Sequence, residues 1–333
     1  TLVKIEPGEP YQAERVAETT RQFTERFASF GYAFARVEAR PEIDRATGRV
    51  ALVLVGDPQR RVYVRRVNVA GNTRTRDEVI RREFRQFESS WYDGRRIKLS
   101  RDRVDRLGYF RDVSVETDEV PGTLDQVDLT VTVTERPTGN LMLGAGYSSA
   151  DRFSVTGSIK QENAFGTGNY LGVELNTSKS SRTLVFSTVD PYFTIDGISR
   201  SVDVFYRTTQ PINSQGEDYK LITQGASLRF GVPLTEYDTV FFGIGVEQTE
   251  IRGNDALPES YRRYRDTFGA KSTSIPLTIG WSRDQRDSAL VPNEGRYQRV
   301  NVDWSFAGDA RYLRTNLQYQ QYWPITRQFT FAI

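Results

Sequence analysis

Two regimes of apolar spacing divide the 333-residue chain. Within residues 15–30, Val16, Thr20, Phe23, Phe27 and Phe30 recur every three or four positions, which predicts an amphipathic helix closed by Gly31. Residues 49–55 predict a buried strand. Residues 62–69 form a β-branched run that ends in the turn signal Ala70-Gly71-Asn72. Thr75-Arg76-Asp77-Glu78 has the spacing of a capping box, opening a helix that carries Val79, Ile80, Phe84 and Phe87 on one side. A second helix is predicted from about Ser100 through Val104 and Leu107, followed by two strands. In the later strand Val127, Leu129, Val131 and Val133 alternate with Asp128, Thr130, Thr132 and Thr134.

Phe30-Gly31-Tyr32-Ala33-Phe34 matches Leu107-Gly108-Tyr109-Phe110, and a strand, turn and strand follow each. This register predicts an internal repeat. The second unit has the order β-α-α-β-β over residues 61–136. The first shows no opening strand or helix, so it is expected to be a partial module.

Beyond Gly139 the helical period fades and period-two segments take over. Leu171, Val173 and Leu175 form one stripe; Ala226, Leu228, Phe230 and Val232 a second; Val240, Phe242, Ile244 and Val246 a third. Ile275, Leu277, Ile279 and Trp281 make a fourth, and Val300, Val302, Trp304 and Phe306 a fifth. About ten such strands are expected, with residues 329–333 opening an eleventh. The opposite positions include Glu174, Asp203, Arg229, Glu247, Asn301 and Asp303. A soluble sandwich and a membrane barrel both alternate in this way. Two features favour the barrel: segments reach the roughly 9–11 residues needed to cross a bilayer at a tilt, and aromatics gather near strand ends, as at Tyr192-Phe193, Tyr237, Phe241-Phe242, Tyr297, Tyr312 and Tyr322-Trp323. Connections with Pro and aromatics (165–168, 190–193, 233–237, 323–325) read as short turns on one side. The stretches 209–218 and 251–274 read as long outer loops, with a surface helix at 257–268.

Composition then narrows the chemistry. No apolar run is long enough for a membrane-crossing helix, which leaves strands as the only spanning element. The 45 basic and 43 acidic residues nearly cancel, giving no expectation of a nucleic-acid partner. Without Cys there is no disulfide or thiolate site, and without His the commonest general base and metal ligand is missing. Carboxylates, Lys and Tyr remain, but no catalytic constellation stands out, and neither an enzyme nor a cofactor or metal site is expected. Asp284, Arg286 and Asp287, close together in a polar connection, read as a solvated turn network rather than a cation site.

An ordered set of motifs adds a resemblance. Tyr63-Val64-Arg65-Arg66-Val67-Asn68-Val69-Ala70-Gly71-Asn72-Thr73, Arg81-Arg82-Glu83-Phe84-Arg85-Gln86-Phe87-Glu88, Arg106-Leu107-Gly108-Tyr109-Phe110 and residues 121–128 resemble a POTRA module. Phe165-Gly166-Thr167-Gly168 and residues 190–197 resemble the first periplasmic turns of the barrel that follows such modules in the BamA family of outer-membrane protein assembly factors. The resemblance implies a partial fourth module at 1–58, a complete fifth at 61–138, and at 139–333 the N-terminal part of an antiparallel transmembrane β-barrel of about sixteen strands. The family's inward-folded loop with an Arg-Gly-Phe motif and its closing strand are not found, so the chain reads as truncated at both ends.

Localisation in the bacterial outer membrane, with the POTRA modules in the periplasm, also follows from the resemblance. So do three kinds of partner: unfolded outer-membrane protein clients, outer-membrane lipids, and lipoprotein subunits of the assembly complex. The lipoprotein BamD is expected on the fifth module at Arg81 and Glu88, which, seven residues apart, are expected on one helix face. The expected working part is a lateral seam at Leu141, Met142, Leu143, Gly144, Ala145, Gly146 and Tyr147, where a client strand adds by β-augmentation. Gly144 and Gly146 are expected either to loosen that strand or merely to make room for neighbours inside the barrel. A two-partner secretion or TamA-type pore is the nearest alternative. A passive channel or an outer-membrane hydrolase is more distant.

Overall fold

The computed structural model describes residues 2–149, 152–210, 219–253, 257–287, 291–326 and 329–333. The chain forms two compact units, Thr1–Pro137 and Thr138–Ile333.

The first unit opens with helix α1 (Ala13–Ala28), then strands β1 (Arg36–Asp44) and β2 (Arg49–Asp57), paired antiparallel from Arg36↔Asp57 to Asp44↔Arg49. Val16 and Thr19 are the buried positions of α1, while Phe30 lies beyond the helix with the Arg26 guanidinium 4.7 Å from its ring. The buried strand expected at 49–55 is instead largely exposed, including Val50, Val53 and Val55, because one helix face cannot cover both sides of a two-stranded sheet. Pro41 sits inside β1, which has β2 as its sole strand partner among the described residues and so tolerates a missing amide donor.

The order β-α-α-β-β then appears in full: β3 (Tyr63–Ala70), α2 (Asp77–Arg81), α3 (Gly94–Arg106), β4 (Phe110–Glu119) and β5 (Gln126–Glu135). The sheet order is β3-β5-β4, with β3 parallel and β4 antiparallel to the central β5. The inward residues of β5 (Val127, Leu129, Val131 and Val133) close a core with Val64, Val79, Ile80, Phe84, Ile97 and Val104. Two helix expectations need correction. α2 is a single turn and a half that ends at Arg81, leaving Phe87 exposed in the loop beyond it. α3 starts at Gly94, earlier than its apolar spacing indicates, because the Asp93 side chain accepts from the Arg95 and Arg96 amides and caps it.

The second unit is one antiparallel sheet of eleven strands in sequence order: β6 (Gly139–Ser148), β7 (Arg152–Ala164), β8 (Asn169–Thr177), β9 (Ser181–Asp190), β10 (Ser199–Thr209), β11 (Tyr219–Pro233), β12 (Asp238–Gly253), β13 (Lys271–Asp284), β14 (Gly295–Gly308), β15 (Tyr312–Pro324) and β16 (Thr330–Ala332). Every strand pairs with its chain neighbours and the sheet does not close on itself. Helix α4 (Glu259–Phe268) lies between β12 and β13, where a surface helix was expected. The register shift between β13 and β14 falls at Pro276, a residue that a regular central strand does not accept.

The short-turn and long-loop asymmetry is weaker than the sequence implies. On the outer side β6–β7, β8–β9 and β14–β15 are joined by three residues each, more tightly than the four to ten residues on the side of the Pro/aromatic turns. Only β10–β11 and β12–β13 have long outer connections, and most of the first, 211–218, lies outside the described residues.

Candidate functional site

Register assigns every side chain of the second unit to one of two faces. On one face Leu141, Ile159, Val173, Phe186, Val204, Ala226 and Val246 follow one another across seven strands. Leu228, Ile244, Leu277, Trp304 and Leu313 continue that apolar band to β15. Many of these residues are exposed, Leu141 at 66% and Leu313 at 69%. A band of bare aliphatic and aromatic side chains spanning ten strands is a lipid-facing wall, since soluble monomers rarely expose contiguous apolar patches above a few hundred Å².

The other face is polar. Glu174, Asp203, Arg229, Glu247, Asn301 and Asp303 all fall on it. Ser187 donates to Asp203 at 2.7 Å, while Asp303 accepts from Thr278 at 2.7 Å and from Arg314 at 3.0 Å. These strands therefore stack against no second apolar sheet, which excludes the sandwich alternative.

Strand β6 is where the wall begins. Among the described residues it pairs with β7 alone, from Gly139↔Gln161 to Ser148↔Arg152, and all ten of its residues are exposed. The seven expected seam residues, Leu141 to Tyr147, are all part of it. Leu141, Leu143, Ala145 and Tyr147 share the lipid face with Ile159, Gly157, Val155 and Phe153. Met142, Gly144 and Gly146 sit inside, opposite Ser158, Thr156 and Ser154. Along the edge away from β7, every second residue presents N–H and C=O groups to no strand among the described residues. A Cβ on Gly144 would stand 2.7 Å from the Thr156 Oγ1, and one on Gly146 3.1 Å from the Ser154 Oγ. The glycines thus leave room for these hydroxyls, each of which also contacts the facing glycine carbonyl.

Arg81 and Glu88 do not share a helix face, because α2 ends at Arg81. They meet across the following loop, Arg81 Nη1 lying 3.5 Å from a Glu88 oxygen, and Arg81 also donates to Asp77. The Glu88 Oε1 accepts the Val67 amide at 2.8 Å, and the backbone of Ser89, Ser90 and Tyr92 bonds to Val62 and Val64. This loop therefore covers the outer edge of β3. Both side chains remain about half exposed.

Sequence spacing missed a second carboxylate. The expected capping box does not form, since the N-cap of α2 is Arg76, with no side-chain bond. Glu135, at the end of β5, instead accepts from the Thr75 amide at 2.7 Å, the Arg74 amide and the Thr73 hydroxyl. Burial works to raise the Glu135 carboxyl, but these donors hold it below the usual carboxylate range.

The turn after β13 is a network, as expected. Arg286 donates from Nε and Nη2 to Asp284 at 2.9 and 2.7 Å, and the Asp287 carboxylate accepts the Asn293 and Glu294 amides. Among the described residues no group of three or more acidic side chains is placed to hold a metal.

Comparison with known proteins agrees with this geometry. The Omp85 superfamily domain matches residues 163–333, and the POTRA family, described as a surface antigen variable number repeat, matches 1–55 and 62–136. The outer membrane protein assembly factor BamA of Neisseria meningitidis is 34% identical over all of this chain and 43% of its own length, and that of Nitratidesulfovibrio vulgaris is 28% identical over 89% of this chain and 37% of its own. The chain thus spans less than half the length of these relatives.

Among solved structures, BamA from Haemophilus ducreyi lacking POTRA domains 1–3 superposes with a TM-score of 0.72 and 26% identity, covering 98% of this chain and 64% of that one. CdiB from Acinetobacter baumannii, at 12% identity and a TM-score of 0.55, shares the fold. The chain belongs to the Omp85 superfamily, with POTRA repeats of the periplasm leading into the strands of an outer-membrane β-barrel.

Proposed function

We propose that this chain is part of an outer-membrane protein assembly factor that accepts client strands along the edge of β6 that faces away from β7. The observation that carries the reading is the position of β6 as the first strand of a lipid-facing wall, paired with β7 and with no other strand among the described residues. In lipid an unpaired amide or carbonyl costs several kcal/mol, so such an edge strongly favours an incoming strand. The 34%-identical relative, whose name states assembly of outer membrane proteins, supports this activity. Catalysis in the chemical sense is not required, since the transaction is an exchange of backbone hydrogen bonds.

The partners follow from the same reading. Unfolded outer-membrane proteins are the clients, and outer-membrane lipids bathe the apolar face. The exposed Arg81–Glu88 pair is the docking point for a lipoprotein subunit of the BamD type. Because the two side chains already pair with each other, the partner must compete for or extend that ion pair. Exchanging them, as Arg81→Glu with Glu88→Arg, keeps opposite charges together while reversing what the surface presents. Lost co-purification of the lipoprotein supports docking, and retained co-purification refutes it.

The client-strand reading is tested by occupying the edge. A peptide strand tethered through Ser148→Cys and paired along β6 should stop insertion of unfolded barrel proteins into vesicles. Release of the tether by reductant should restore it. Undiminished insertion with the edge occupied contradicts the proposal.

A further inference from the structure

At the outer end of β9 to β13 the lipid-facing surface changes from apolar to cationic in two steps of register. The rows Phe186–Val204 and Leu184–Tyr206–Gln224 line an open hollow of about 340 Å³ on β9 to β11. The next row outward is Arg182–Thr208–Ile222–Glu250–Lys271, and the row beyond it is Lys220–Arg252. Each row lies roughly 7 Å further along the strands, within reach of a Lys or Arg side chain from the hollow.

Three cations, Lys220, Arg252 and Lys271, thus surround one carboxylate in these two rows, and a fourth, Arg182, lies three strands away on β9. That carboxylate, Glu250, accepts from the Arg252 Nε at 2.6 Å, which fixes one guanidinium and leaves the surface net positive. All four cationic side chains project from the face that carries Leu184, Val204 and Val246. A lumenal role is excluded for them on that ground.

We infer that this surface binds a phosphorylated glycolipid of the outer leaflet, with its phosphate on Lys220, Arg252 and Lys271 and an acyl chain in the hollow below. Two observations select the ligand. Positive charge on the outward side of an apolar hollow is complementary to an anionic headgroup on a hydrocarbon tail. The charges stand at the strand ends opposite the end where the chain enters β6 from its periplasmic repeats, so they face the outer leaflet, where a phosphorylated glycolipid supplies both the anionic head and the acyl chains.

The test uses the chain in phosphatidylcholine nanodiscs doped with either bis-phosphorylated lipid A or phosphatidylglycerol, with retained lipid read by native mass spectrometry. Lipid A should be retained in preference to phosphatidylglycerol. Its retention should fall about a hundredfold in the triple variant Lys220→Gln, Arg252→Gln, Lys271→Gln, on the scale of three lost cation contacts. Heat-modifiable gel mobility checks that the variant is folded; if it is not, the single variants Arg182→Gln and Lys271→Gln are read the same way for a smaller loss. Equal retention by the variants overturns the site. Equal retention of phosphatidylglycerol overturns the assignment to the glycolipid.

Discussion

In the β-α-α-β-β module and in the barrel wall the same period-two alternation produces opposite surfaces. Leu129 of β5 is fully buried because α2 and α3 lie over its face, whereas Leu317 of β15 is 75% exposed because nothing among the described residues covers it. One apolar stripe finds its solvent-excluding partner inside the module, and the other must find it in lipid. Alternation therefore specifies a two-faced strand, and the presence or absence of flanking helices decides which medium its apolar face meets.

The comparison is broken most severely inside the module. Leu129→Ala should cost about 2–5 kcal/mol, because the helices above it cannot collapse into the cavity. The loss should appear as faster hydrogen exchange of β5 amides in the intact chain. The wall should respond to charge instead of volume. Leu317→Arg, mid-strand on the lipid face, should cost about 2–4 kcal/mol in bilayer-refolding titrations, while Asn316→Arg next to it, facing inward opposite Asn301, should cost close to nothing. Equal costs would place both residues in one environment and remove the faces.

A smaller effect separates the two regions by pH. The Glu135 carboxyl titrates below its unfolded value of about 4.3, so its contribution is fully present above that pH and is lost as pH falls through the folded value. Glu135→Gln should cost about 1 kcal/mol near neutrality and flatten the acid limb of module unfolding, without changing the wall. An unchanged acid limb would show that the Thr73–Thr75 turn does not depend on this carboxylate.

The sequence revealed some of these elements more fully than others. The strands of the wall were legible because each carries its own period, and β8, β11, β12, β13 and β14 contain the predicted stripes. The module's order was legible through the repeat of Phe30-Gly31-Tyr32 and Leu107-Gly108-Tyr109. What stayed hidden depends on contacts between residues distant in sequence. Thr75 and Glu78 have capping-box spacing, yet the carboxylate that serves this turn is Glu135, sixty residues away. Glu88 was placed on a helix by counting from Arg81, whereas its position is set by the Val67 amide of β3. The start of α3 was missed because its first turn is polar, although Asp93-Gly94 was a readable cap. The cationic rim on β9 to β13 needs the register of five strands before its members become neighbours, and no linear spacing contains it. The role of Gly144 and Gly146 is clearer in the structure, where each leaves space for a facing hydroxyl.

The central claim is that β6 lends its backbone to a client strand, and a pairwise cysteine scan tests it most directly. Cysteines placed singly along residues 139–148 are combined with cysteines stepped along one strand of a stalled client, and disulfide yield is read for each pair. Strand addition predicts a diagonal ladder of high yields, advancing one residue on the client for each residue on β6. Yields that are uniform, or that peak on β10 or β13 controls instead, would contradict it.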